Sequence, residues 1–463
     1  MRASTHNRTK DWQALDAAHH IHPFTDTAAL NKKGARVITR AKGVHLWDSE
    51  GHRLIDGMAG LWCVNVGYGR EELADAAYSA MRELPYYNAF FQTTHPYAVE
   101  LAAKLAQLLP AGMTRVLFAN SGSEANDSAL KLIRYYWNLQ GRPEKKIHIS
   151  REYAYHGVTM AAASLSGLTP MHPQWDLPLP GFAKIPTVYP YAWGGDQDPE
   201  DYGLAMARKL EERILELGAD RVASFSVEPI HGAGGLMMPP RSYFPEIQRI
   251  CRKYDVLLHL DEVITGFGRT GEWFGAQTYG VEPDLMSMAK GLSSGYQPIS
   301  ALGLGPRVGD AISSANEEMV HGFTWSGHPV ACAVSLKNLE IIERENLVDR
   351  IRTDIGPYFA GRVKELARHP MVGEVRTQGL LAAIELMDDK TTRKFFDPKR
   401  DVGTHCRNHC FSNGLVMRAT RDTMMLSPPF VISHAEVDEL VGLAWKAIDL
   451  TARDLGRETM VGP

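Results

Sequence analysis

Val256-Leu257-Leu258-His259-Leu260-Asp261-Glu262-Val263-Ile264-Thr265-Gly266-Phe267-Gly268-Arg269-Thr270-Gly271 is the stretch on which the reading of this chain turns. Its first five residues are a short, largely apolar run, the signature of a buried strand, and an acid ends it. A second such run follows in Pro283-Asp284-Leu285-Met286-Ser287-Met288-Ala289-Lys290-Gly291, ended by a lone lysine before glycine. A carboxylate and an amine at the ends of two buried strands are costly unless each meets a partner.

Outward from this pair, short apolar runs alternate with helical patterns from about residue 60 to 340. Strands are expected at 115–119, 146–150, 222–227, 256–260, 285–288 and 301–304. That alternation predicts an α/β fold with a mostly parallel central sheet and helices on both faces. Ahead of it, runs at 44–48 and 53–56 flank Ser49-Glu50-Gly51 as a hairpin. Behind it, Gly327-His328-Pro329 opens a helix with proline near its first position. Helices at 350–368 and 436–455 then mix with strands at 380–386, 415–418 and 423–426. The expected division is an N-terminal arm and part of a small domain over 1–60, a large domain over 61–340, and a C-terminal small α+β domain over 341–463. Pro143-Glu144-Lys145 and Gly194-Gly195-Asp196 read as surface loops.

The 463 residues exceed what one simple core holds. With 44% hydrophobic and 22% charged residues the chain is not mainly disordered. Lys and Arg number 50 against 54 Asp and Glu, a net charge of −4, which calls for neither nucleic acid nor an anionic membrane. Cys63, Cys251, Cys332, Cys406 and Cys410 are few, odd in number and scattered, as expected of reduced thiols in a cytoplasmic protein. Residues 1–13 carry Arg2, Arg8 and Lys10 without an apolar core, so no secretory signal is expected. No apolar run is long enough to span a bilayer.

One cofactor would satisfy both strand ends. Pyridoxal 5'-phosphate (PLP) has a ring nitrogen that needs an anion to stay protonated, and an aldehyde that condenses with a lysine amine. Two more segments agree. Asn120-Ser121-Gly122-Ser123-Glu124-Ala125-Asn126-Asp127 follows a strand and opens a helix, with Ser121 and Glu124 at capping-box spacing. Backbone amides at such a start suit a phosphate. Tyr153-Ala154-Tyr155-His156-Gly157 offers an aromatic at a strand end to stack on a planar ring. Alone, the first is more often an ordinary capped helix and the second plain packing. A lone aspartate is often a structural ion-pair partner and a lone lysine solvated. The coincidence of all four, in this order, points to PLP.

The chain resembles the class III aminotransferases, PLP enzymes of fold type I. Ser121 to Asp127, Tyr155-His156-Gly157, Asp261 to Gly271, Met288-Ala289-Lys290-Gly291-Leu292-Ser293-Ser294-Gly295 and His321-Gly322-Phe323-Thr324-Trp325-Ser326-Gly327-His328-Pro329 carry the likeness. Within the class it is most similar to the amine–pyruvate, or omega-aminotransferase, group, through His19-His20-Ile21-His22-Pro23-Phe24 and the segment from Met58 to Arg70. The resemblance implies a small domain built from both termini. It implies ping-pong transfer of an amino group from a primary amine or ω-amino acid to an α-keto acid, pyruvate first, through pyridoxamine phosphate. Lys290 would bind the aldehyde and act as base, and Asp261 would pair with the ring nitrogen. Val263 and Tyr155 would sandwich the ring, and Ser121, Gly122 and Ser123 would hold the phosphate. Glu228 would order the strand end near Asp261. Thr324 would reach the phosphate of a neighbouring subunit in a homodimer; a dimer of dimers is left open.

Two positions depart from parts of the family. His231 stands where many members have a glutamine that bonds the cofactor's phenolic oxygen. Ala233 stands where members acting on ω-amino acids often have a glutamate. Phe24, Trp62, Phe90 and Tyr155 would line an aromatic pocket, and Arg418 would grip the acceptor's carboxylate. The expected donor is therefore an amine without a carboxylate. Another PLP reaction on the same scaffold (an aminomutase, decarboxylase or epimerase), or PLP binding without turnover, shares the same residues. His405-Cys406-Arg407-Asn408-His409-Cys410 has zinc-like spacing but reads as an incidental helix pattern, so no metal is expected.

Overall fold

The computed structural model describes residues 8–457; residues 1–7, where the segment expected to lack a signal begins, lie outside it. Seven strands form the central sheet: β4 (Arg115–Ala119), β5 (Ile147–Arg151), β6 (Phe182–Ile185), β7 (Val222–Val227), β8 (Leu257–Asp261), β9 (Leu285–Met288) and β10 (Ser300–Leu304), in the order β4-β10-β9-β8-β7-β5-β6. β6, β5, β7, β8 and β9 run parallel. β10 is antiparallel to both β9 and β4, so β4 points the same way as the rest. Every residue of β7, β8, β9 and β10 is buried, which is why these strands read as near-continuous apolar runs.

Two smaller sheets flank this core. β1 (Ile38–Lys42), β2 (His45–Asp48) and β3 (Arg53–Asp56) form an antiparallel meander, and the two-residue β13 (Leu415–Val416) joins it in parallel with β3. Segments near the two ends of the chain thus share one sheet. The other sheet is wholly antiparallel, in the order β11 (Val372–Gln378), β12 (Leu381–Leu386), β15 (Thr423–Leu426), β14 (Arg418–Thr420).

Three expectations are corrected. Residues 415–418 are not one strand: the chain changes sheets at Met417. The stretch 350–368 is helical but not uniform. A wide turn, Ile351–Ile355, precedes Pro357, which lacks the N–H a regular helix would use. Lys145 is no surface residue; it is 0% exposed. Its Nζ lies over the Trp137 ring, 4.5 Å from the centroid, and donates to the carbonyls of Ala219 (3.2 Å) and Tyr254 (3.5 Å). Three strands were also missed: β1 because four of its five residues are exposed, β6 because Lys184 interrupts its apolar run, and β11 because only two of its seven residues are buried.

No helix of the described residues is long and apolar enough to cross a membrane.

Candidate active site

The parallel strands release their following segments at one edge of the central sheet, where α/β folds bind ligands. Asp261 is the last residue of β8, Lys290 comes two residues after β9, Glu228 follows β7, Tyr155 lies four residues past β5, and Ser121 and Gly122 follow β4. A cavity of about 530 Å³ opens there. Its floor carries Asp261, Lys290, Val263 and Glu228, and Gly122, Ser123 and Tyr155 form a side. Trp62 and Ala233 are buried parts of its wall, and Phe24 and Arg418 line it toward the mouth.

Asp261 is held from three directions. Its Oδ2 accepts from the Asn126 amide and the His156 Nδ1, each at 2.8 Å, and its Oδ1 accepts from the Val263 N–H at 3.1 Å. Burial pushes the carboxyl up, but the His156 bond and charge and the Asn126 bond outweigh it and hold the carboxyl below its usual range. The result is a carboxylate kept ionised in a nearly dry place. Among the described residues no Lys or Arg forms an ion pair with it; its charge is met by a histidine and two neutral donors.

Lys290 occupies a left-handed turn, φ 43°, a conformation that costs a non-glycine residue energy and recurs at functional sites. Burial lowers its amine from the ordinary lysine value to about 8, against the raising charge of Asp261. A large part of this amine is therefore neutral near pH 8, as a base or nucleophile requires.

Glu228 is buried and raised by that burial. It accepts from the Tyr155 N–H (3.1 Å) and the Gly232 N–H (2.8 Å), so it ties the aromatic wall to the loop that carries Ala233. Tyr155 is itself raised by burial.

At the start of the helix Gly122–Leu139 the Ser121 hydroxyl accepts from the Glu124 N–H at 3.2 Å. The reciprocal bond of a capping box is shifted: the Glu124 carboxylate takes the N–H of Asn120, one residue earlier. Ser121 is thus a cap beside the cavity rather than part of its lining. Ser123 lines the cavity and accepts from the Val158 N–H at 3.1 Å. A side chain at Gly122 would put its Cβ 3.1 Å from the Val263 methyls, so glycine lets the helix start approach Val263 without displacing it. Gly157, at φ 127°, faces Ser123 so closely that a Cβ would lie 2.5 Å from its hydroxyl.

The residues fit PLP on these observations. An ionised, buried carboxylate and a lysine with a lowered pKa share one cavity with a helix start stripped of side-chain bulk.

Two expected site residues lie elsewhere. Thr324 is exposed, and its carbonyl accepts from the Tyr86 hydroxyl at 2.8 Å. Phe90 packs against Gly322 in the same neighbourhood. Neither lines this chain's cavity. His231 is buried and turned to the protein, its ring bonding the Thr187 hydroxyl and the Glu152 carbonyl, both at 3.1 Å from Nε2. Of the zinc-like group, Cys406 and Cys410 are buried and His409 bonds Asp454 at 2.6 Å. Sequence reasoning quoted Asn126 and His156 but gave them no role. Both are buried polar residues within the quoted motifs, and that is the only signal the sequence offers.

The chain matches the family model for class-III aminotransferases over residues 28–448. A putrescine–pyruvate aminotransferase of Pseudomonas aeruginosa is 52% identical over 448 residues, 97% of this chain and 98% of that protein. A mitochondrial gamma-aminobutyrate transaminase of Solanum lycopersicum is 40% identical, over 94% of this chain and 85% of its own. Among solved structures, the omega transaminase of Pseudomonas jessenii in complex with PMP superposes with a TM-score of 0.94 at 40% identity, over 96% of this chain and 99% of that one. An (S)-enantioselective omega-transaminase of Thermomicrobium roseum gives 0.93 at 41%, over 96% and 98%.

Proposed function

The chain belongs to the class-III aminotransferases, and from that premise we propose that its donor is a primary amine without a carboxylate, of the putrescine type, and its acceptor pyruvate. That it is a PLP-dependent aminotransferase follows from the family. The finer reading is carried by Arg418, which lines the cavity, is half-buried and has no ion-pair partner among the described residues. A guanidinium so placed suits the carboxylate of a keto acid. Ala233 supports the donor class, because its small side chain in the wall leaves room for a bulkier or more apolar amine. The two acids that line the cavity, Asp261 and Glu228, are already engaged. A diamine's second ammonium would stay at the mouth, and the putrescine–pyruvate relative agrees.

PLP, when bound, supplies an aldehyde that takes up the amino group and a protonated ring that accepts electrons as the C–H bond breaks. Asp261 would hold the proton on the ring nitrogen, since its carboxylate stays ionised. Asn126 and His156 keep that carboxylate aimed by occupying one of its oxygens. The Lys290 Nζ would hold the aldehyde and, once freed by the donor amine, act as the base that moves the substrate's proton. Val263 and Tyr155 would orient the ring, and Ser123 with the amides of the helix start would bind the phosphate. Trp62, 1% exposed, excludes water from the inner end.

A homodimer fits the rim. Phe24, Phe91 and Val320 are 77%, 86% and 85% exposed, an unusual apolar display for a surface that meets only water. Thr324, four residues past Val320, would then serve the phosphate in the other subunit's site. The five cysteines are free thiols, in keeping with a reducing, cytoplasmic setting.

The test is a pair of half-reactions on the purified enzyme. The cofactor's visible absorption should bleach with putrescine and return with pyruvate. In Arg418→Ala the return with pyruvate should slow at least about tenfold relative to the return with butanal, which has no carboxylate. Equal slowing with both acceptors would remove Arg418 from acceptor recognition.

A further inference from the structure

Three side chains line both the active-site cavity and a larger neighbouring groove of about 820 Å³: Leu61, Arg407 and Arg418. The groove is walled by the N-terminal segment, including Gln13 and Arg36, and by the helix Val402–Ser412, which carries Arg407. These three residues therefore mark the passage between the two spaces, and two of them are guanidinium groups. Arg36, also in the groove, is partnered: it lies 3.7 Å from the Asp48 carboxylate and donates to the Phe411 carbonyl at 2.7 Å.

The pair at the passage is different. Arg407 Nη2 donates to the Asn408 Oδ1 at 3.3 Å, a neutral and exposed contact. Neither Arg407 nor Arg418 has a carboxylate within ion-pair distance among the described residues. Arg418 is lowered chiefly by burial; Tyr155 opposes this and the charge of Arg407 adds to it, so the two cations act on each other. Two like charges beside one passage, without a counter-ion, raise the energy of the site until an anion arrives. Guanidinium groups match a carboxylate through paired N–H donors, and two of them can serve both of its oxygens.

We infer that Arg407 is a second carboxylate-binding residue of the acceptor site, meeting the keto acid in the outer groove and sharing its carboxylate with Arg418 at the passage. This rests on the reading of Arg418 as the acceptor's anchor. Arg407 acts on recognition, not on the proton transfer at Lys290, so its effect falls on KM. It also sets the entry route: the anionic acceptor is drawn through the groove.

The experiment measures KM and kcat of the holoenzyme for pyruvate and for butanal, at low and raised ionic strength, in wild type, Arg407→Gln and Arg407→Lys. In Arg407→Gln the ratio of pyruvate KM to butanal KM should rise about tenfold, the scale of one lost charge-assisted contact. Arg407→Lys should recover part of that change, because the charge is kept while the paired donors are lost. Added salt should raise the wild-type pyruvate KM more than that of Arg407→Gln. A ratio within about twofold of wild type, or a shift that Arg407→Lys does not recover, would overturn the inference. The underlying reading is tested separately: if wild type fails to use pyruvate, or Arg418→Ala loses both acceptors alike, that reading falls whatever Arg407 does.

Discussion

The floor and the mouth of the same cavity are built on opposite plans. At the floor, Asp261 is buried and both of its oxygens are engaged by neighbours drawn from one chain. Glu228 is satisfied in the same way. At the mouth, Phe24 and Leu61 stand exposed, Arg407 and Arg418 lack ion-pair partners among the described residues, and Thr324 lies outside the cavity altogether. On the proposed reading, the proton transfer shared by every substrate uses side chains of one chain. Recognition, which differs between donor and acceptor, is left open to whatever enters or covers the mouth. The difference also says how each region should fail: floor substitutions through kcat for every substrate, mouth substitutions through KM and selectively.

The sharpest test of the floor is Lys290→Ala. The variant should bind PLP through its phosphate and ring contacts yet lose at least about a thousandfold in kcat with every donor, since on the proposed reading one side chain would both bond the aldehyde and move the proton. Absorbance of the bound cofactor and single-turnover rates measure the two parts. A loss confined to one donor would place Lys290 with the mouth and break the comparison.

His156→Ala probes the floor's second layer. It leaves Asp261 buried with one donor fewer, so kcat should fall about tenfold with all substrates and stability by about 1–3 kcal/mol at neutral pH. The pH dependence has a definite sign. The folded-state pKa of Asp261 is depressed, so its ionisation stabilises the protein above the unfolded carboxyl's value of about 3.9. That contribution is lost as pH falls through the folded value. Removing His156 raises the folded value, so acid unfolding of the cofactor-free variant should begin at higher pH than in wild type. Thermal unfolding at a series of pH values measures this; parallel curves for the two proteins would show His156 uncoupled from Asp261.

The same division governs what the sequence disclosed. Asp261 and Lys290 were legible because a charge ending a buried apolar run is physically anomalous, and the strand rhythm located the central sheet. Asn126 and His156 were not. They meet Asp261 across 135 and 105 residues, and no local periodicity encodes that meeting. Lys145 misled because turn residues imply solvent, whereas a lysine can be buried when an indole face and backbone carbonyls receive its amine. Lys184 hid β6 in the same way, its Nζ donating to the Ser150 hydroxyl (2.7 Å) and the Ser164 and Leu165 carbonyls (2.8 and 2.5 Å). Arg407 was quoted only inside a metal-like pattern; its place at the passage depends on how a helix from one end of the chain packs by a segment from the other. Thr324 and Phe90 came from resemblance alone, and one chain does not bring them to its own cavity.

The smallest expected effect lies where floor and mouth join. The loop 233–236 receives four donors from the small antiparallel sheet and its margin. The Thr420 hydroxyl reaches the Ala233 carbonyl and the Arg421 Nη2 the Gly234 carbonyl, each at 3.0 Å. The guanidinium of Arg376 reaches the carbonyls of Gly235 (2.6 Å) and Leu236 (2.9 Å). Thr420 shares β14 with Arg418, two residues along, and so points to the same face. The strand presenting Arg418, the proposed anchor of the acceptor, is thereby pinned to the wall presenting Ala233. Thr420→Val removes one neutral bond and leaves a carbonyl short of a donor, a loss of about 1 kcal/mol in stability. Because the slack falls on the Arg418 strand, pyruvate KM should rise about two- to threefold more than the KM of a donor lacking a carboxylate, as a few tenths of a kcal/mol in anchor placement would give. Steady-state kinetics with both substrates decides it: an equal rise would make β14 a support for the whole cavity, and the boundary between floor and mouth would have to be drawn outside it.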